Sequence, residues 1–99
     1  MARLDVYRLA GFDGYVVEVQ ADLMATFATT VVVPLVPIGD APKRLSRLNP
    51  VFQIAESRCV MQTQSIAAVP RQELGVRVAS LTDQHFEIVA ALDMLLSGF

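Results

Sequence analysis

The sequence predicts an α+β domain in which about six short antiparallel strands form a barrel-like sheet and one terminal helix packs on it. Two observations carry this. Runs rich in Val, Thr and Ile recur through the first eighty residues between Gly, Pro and Asn-Pro turn signals. The last eighteen residues, Thr82–Phe99, hold the only long apolar pattern with helical spacing.

Leu4 to Leu9 alternates, Ala10-Gly11-Phe12-Asp13-Gly14 is turn-rich, and Tyr15, Val17 and Val19 alternate again, so the chain opens as a β-hairpin. Ala21-Asp22-Leu23-Met24 leaves the strand, and its Leu-Met pair is core if buried or a contact site if exposed. Thr29–Val33 is β-branched without alternation, which fits a central strand buried on both faces, with Pro34 and Pro37 expected to end its ladder. A loop through Lys43–Leu48 and the Asn49-Pro50 turn leads to two strands, Val51–Glu56 and Arg58–Gln64, joined near Ser57. Ser65–Pro70 is apolar and closed by proline. Arg71–Gly75 reads as a turn, and Val76–Ser80 as a brief strand or a lead into the helix. In that helix Thr82 is the expected N-cap and Gly98 the left-handed stop. At about 100° per residue, Leu81, Ile88, Val89, Leu92, Leu95 and Leu96 share the face that would seat it.

Ninety-nine residues suffice for one modest core, yet 54% are hydrophobic, an excess that points to an oligomer with a buried interface. Leu23 to Gly39 carries no charge but is broken by two prolines, so no membrane span is expected. The opening Met1–Asp5 shows no apolar signal core and Cys59 stands alone, which favours the cytoplasm. A net charge of −2 argues against autonomous nucleic-acid binding. Lys43, Arg44 and Arg47 form the one local basic cluster, either a solvated loop or a dock for an acidic partner.

The supply of catalytic groups is thin. His85 and Cys59 are each single, too few for a zinc set, and Cys59 sits in a strand without an activating neighbour beyond Arg58. Asp83, Glu87 and Asp93 could supply carboxylates, but a helical period spreads the last two by about 120°. No phosphate-binding or nucleophile-elbow motif occurs, so neither enzyme activity nor a cofactor is expected. The helix end is less ordinary: Asp93 lies at the negative end of the dipole and Ser97-Gly98-Phe99 closes the chain on an aromatic ring. Such a tip is a stop signal with Phe99 folded back on Met94, or an acidic and aromatic probe for a basic pocket.

Leu48-Asn49-Pro50-Val51-Phe52, Thr63-Gln64-Ser65-Ile66-Ala67-Ala68-Val69-Pro70, Leu74-Gly75, Ser80-Leu81, Ile88, Ala91-Leu92-Asp93 and Gly98-Phe99 together resemble the CcdB family of bacterial toxins. Val6-Tyr7, Val19-Gln20-Ala21-Asp22 and Val32-Val33-Pro34-Leu35 fit as well. The resemblance implies a homodimer with an SH3-like barrel, a small β wing and a C-terminal helix. It also implies a non-enzymatic toxin that binds the DNA gyrase A subunit and traps the cleaved-DNA complex. A CcdA-like antitoxin would neutralise it, and the pair would repress their own operon, so that DNA is met only through that complex. Carried over by position, the gyrase-binding residues are Leu23, Met24, Asp93, Leu96, Ser97, Gly98 and Phe99. Ser97 stands where the family has a tryptophan. Two other functions are open to such a chain: a regulatory module that only pairs with an antitoxin, and a ribonuclease of the MazF and Kid type, which shares the barrel.

Overall fold

The computed structural model describes residues 3–41 and 43–98. The strands are β1 (Asp5–Leu9), β2 (Tyr15–Glu18), β3 (Thr29–Pro37), β4 (Val51–Ile54), β5 (Ser57–Met61), β6 (Ala67–Pro70) and β7 (Leu74–Ser80), followed by helix α1 (His85–Ser97). They form one curled antiparallel sheet, a half-barrel, in the order β4-β5-β3-β2-β1-β7, while β6 pairs with the first half of β3. The α+β expectation holds. The strand count rises because Leu74–Ser80 pairs along β1 over more residues than its apolar pattern indicates.

Alternation along the strands sends side chains to two faces. Val6, Val17, Val33, Leu35, Phe52, Ile54, Cys59 and Met61 meet Leu81, Ile88 and Ala91 in the main core beneath α1. On the opposite face Tyr7, Val16 and Val32 form a second, smaller cluster with Leu9, Phe12, Val69 and Leu74. This is why β3 reads as buried on both sides. The β1–β2 turn is tight: a Cβ on Gly14 would lie 2.9 Å from the Leu35 carbonyl oxygen, so only glycine fits there.

What covers the second cluster follows from connectivity. β6 lies beside β3 and β7 beside β1, so the 3₁₀ turn Arg71–Glu73 that joins them must cross over β2. One ion pair fastens this strap to β2, and a second ties β7, which follows it, to β1. Arg71 Nη1 lies 3.0 Å from Glu18 Oε2, and Arg77 Nε lies 3.0 Å from Asp5 Oδ2. The Thr30 hydroxyl donates to the same Glu18 oxygen, so this buried carboxylate is paired and hydrogen-bonded as burial demands.

Pro37 ends β3 as expected, but Pro34 does not. Successive residues of a strand turn their N–H and C=O to opposite edges. The Pro34 carbonyl accepts from Gln62 N–H at 2.8 Å, so the missing donor of Pro34 faces the Gln62 carbonyl. Ser65 N–H takes that carbonyl instead, at 2.9 Å. Pro50 repeats the device. It accepts from Met61 N–H at 2.9 Å, and the Met61 carbonyl it cannot serve receives the Asn49 side-chain amide at 3.0 Å. Each lost ladder bond is replaced by a donor from the adjoining turn, and the strand runs on to Pro37.

The helix starts later than Thr82. A 3₁₀ turn, Thr82–Gln84, precedes it, and the Thr82 hydroxyl is engaged with Ser80 Oγ at 2.7 Å, leaving α1 without a side-chain cap. Its far end is as expected in kind: Gly98 has φ 78° and its N–H donates to the Met94 carbonyl at 3.0 Å. That bond and the left-handed Gly98 make a glycine stop of the helix. Ile88 and Ala91 are buried and Val89, Leu92 and Leu95 half-buried, whereas Leu96 is 74% exposed and takes no part in seating the helix.

Candidate partner-binding site

Two exposed groups carry the expected contact residues. The first is the 3₁₀ turn Asp22–Met24 between β2 and β3, where Leu23 is 85% exposed and Met24 also faces solvent. The turn is held from below. Gln20 Nε2 donates to the Met24 and Thr29 carbonyls, each at 3.3 Å, while its Oε1 accepts from Val31 N–H at 3.2 Å. One side chain thus ties both ends of the excursion to β3, and the apolar pair stands on an anchored turn.

The second group is the end of α1. Asp93, Leu96 and Ser97 are three and four positions apart, hence neighbours on one exposed helix face, with Gly98 at its end. No cation occupies the last turn, so the Asp93 carboxylate adds to the negative end of the helix dipole. A leucine rimmed by that charge suits a pocket both apolar and basic. Phe99 lies outside the described residues, and with it the expected fold-back on Met94. The principal contacts of α1 are with the turns Thr63–Ser65 and Thr82–Gln84.

Two further exposed apolar side chains were not among the expected contact residues. Phe27, 57% exposed, follows Leu23 and Met24 and enlarges their patch. It closes on the strap: Arg71 donates from Nε to the Phe27 carbonyl at 3.1 Å and from its backbone N–H to the Ala28 carbonyl at 2.7 Å. Beside it an open cleft of about 470 Å³ is lined by Ala28, Thr29, Pro70, Arg71 and Gln72. Phe86, 85% exposed, lies four, seven and eleven positions before Ala90, Asp93 and Ser97, on the same stripe of α1. The signal for Phe86 was present in that spacing. Phe27 gave none, because no periodic pattern surrounds it.

The formal Cys59–His85 pair gains nothing from the fold. Cys59 is sealed in the main core and burial pushes its thiol pKa up, whereas His85 is exposed at the helix start with its ring edge-on to Phe86 at 5.6 Å. Among the described residues no three His, Cys, Asp or Glu side chains converge as metal ligands.

The profile of the CcdB protein family matches residues 3–98. The chain belongs to the CcdB family. The fold of this CcdB-family chain is also similar to that of an endoribonuclease from a mycobacterial species solved in complex with its cognate antitoxin. The TM-score is 0.80 at 19% identity, over 97% of this chain and 94% of the other. A second mycobacterial endoribonuclease gives a TM-score of 0.79 at 18% identity, over 97% and 90%. At such identities the likeness is one of fold.

Proposed function

We propose that this CcdB-family chain is the toxin of a toxin–antitoxin pair that acts by binding, not by catalysis. It docks on the DNA gyrase A subunit through Leu23, Met24, Asp93, Leu96, Ser97, Gly98 and Phe99, holds the cleaved-DNA complex, and is neutralised by a CcdA-like antitoxin. It works as a homodimer in the cytoplasm and represses its operon together with that antitoxin. Family membership supports the toxin role. The observation that carries the docking surface is that Leu23, Met24 and Leu96, apolar residues that a folded chain would otherwise bury, all face solvent. The test is purified protein with gyrase and supercoiled DNA: stabilised cleavage is expected, and neither binding nor cleavage at any dose would overturn the reading.

Two observations favour other readings. Ser97 offers far less surface than the family's tryptophan, the usual kind of interface anchor, which favours a module that pairs with antitoxin without poisoning gyrase. Unimpaired growth of cells making soluble protein without antitoxin would establish that. The fold likeness to endoribonucleases favours RNA cleavage. Intact RNA after incubation would remove it.

A further inference from the structure

The Lys43–Arg47 loop and the edge of β4 are not used by the surface above. We infer that together they form a docking site for an extended acidic segment of a partner protein.

The loop is built, not merely solvated. Asn49 is buried and every polar group of its side chain is engaged: Oδ1 accepts from Leu45 N–H at 3.1 Å, and Nδ2 donates to the Met61 carbonyl at 3.0 Å and to Gln64 Oε1 at 2.7 Å. Its backbone N–H donates to the Leu45 carbonyl at 2.7 Å, and its own carbonyl receives Arg44 Nη1 at 3.2 Å. Lys43, Arg44 and Arg47 are therefore displayed on a fixed turn, with exposed Leu45 among them.

That turn runs directly into a sheet edge. β4 ends the sheet, with β5 on its inner side and no strand paired to its outer side among the described residues. Since Pro50 accepts from Met61 N–H, and Phe52 and Ile54 lie two and four residues on, these residues turn inward to β5. Val51 and Gln53 consequently aim their N–H and C=O groups outward. These are the groups an added strand pairs with. An added strand that reaches past Pro50 meets Arg44 at the Asn49 carbonyl, with Lys43 and Arg47 on the same turn, so acidic side chains fit it there. A nucleic acid fits less well: the chain is net negative, three cations are few, and Leu45 would face phosphate without an apolar partner.

The probe is a short labelled peptide of alternating glutamate and valine, titrated by fluorescence anisotropy against the whole chain. We expect saturable binding that weakens as salt rises, and a loss of about tenfold or more with Lys43→Glu/Arg47→Glu protein. Circular dichroism confirms that this variant is folded. The same peptide N-methylated at alternate residues keeps its charges but cannot pair, and should also lose about tenfold. Absence of binding up to about 1 mM, equal binding by the charge-reversed protein, or equal binding of the N-methylated peptide overturns the proposal. So does tighter binding of a DNA strand of equal charge.

Discussion

Leu96 separates the two jobs of the terminal helix, because its position in the sequence assigns it to the packed face and the structure leaves it in solvent. Full burial of a leucine is worth roughly 1.5–3 kcal/mol. With 74% of the residue exposed in the free chain, most of that stabilisation is still available to a partner. Leu96→Ala should therefore change folding stability by about 0.5 kcal/mol or less, as surface substitutions do. In a complex that buries the side chain it should cost roughly 1–2 kcal/mol, or about five- to thirtyfold in affinity. Urea denaturation gives the first quantity, and calorimetric titration against the gyrase A subunit gives the second. A variant that melts like a core mutant would mean that Leu96 holds the helix down. Unchanged affinity in a stable variant would mean that the helix end is not the contact.

Other outcomes follow from the strap and the helix stop. Arg71→Met leaves the Glu18 carboxylate buried without its cation and should lower unfolding free energy by roughly 3–5 kcal/mol, largely restored when Glu18→Gln is added; a denaturant cycle over the four proteins measures this. Gly98→Ala meets nothing within 4 Å, so any loss reflects only the left-handed backbone at φ 78°; about 1 kcal/mol is expected in thermal melts. The Tyr7 phenol is buried first and lies near Asp5 and Glu18 second, and burial acts on Cys59, so both pKa values are raised in the folded chain. An acid whose folded pKa is raised contributes stability that is complete below its unfolded value and is lost as pH rises through the folded one. Melting temperature should hold to about pH 8 and fall above it, first as the unfolded thiol ionises and further beyond about pH 10 as the phenol does. Tyr7→Phe should flatten the upper part of that fall while costing little at neutral pH, because the Tyr7 hydroxyl has no hydrogen-bond partner.

Much of this architecture was legible because it rests on local pattern. Alternation exposed the first hairpin, the β-branched run marked β3 as central, and Gly98 marked the helix stop. Three features were not local. The continuation of β3 through Pro34 depends on Ser65, thirty-one positions away, offering a donor to the Gln62 carbonyl. The Glu18–Arg71 pair spans fifty-three positions and exists only because β6 and β7 lie on opposite sides of β2. The exposure of Leu96 depends on where the surface beneath α1 ends, which periodicity does not encode. For the site, the residues were placed by resemblance, and the fold added what spacing alone lacked, the anchoring of the Leu23 turn by Gln20.

Pro34 and Pro50 also decide something beyond tolerance. Each withholds a donor from a carbonyl that a turn then claims, so each settles a competition in the turn's favour before it begins. Valine at position 50 would restore a strand N–H opposite Met61 and set it against the Asn49 amide for one oxygen. The sheet would gain a rung while the basic loop lost an anchor. On this chain a proline acts as a reservation, keeping a place in the ladder for the loop that fixes the surface beside it.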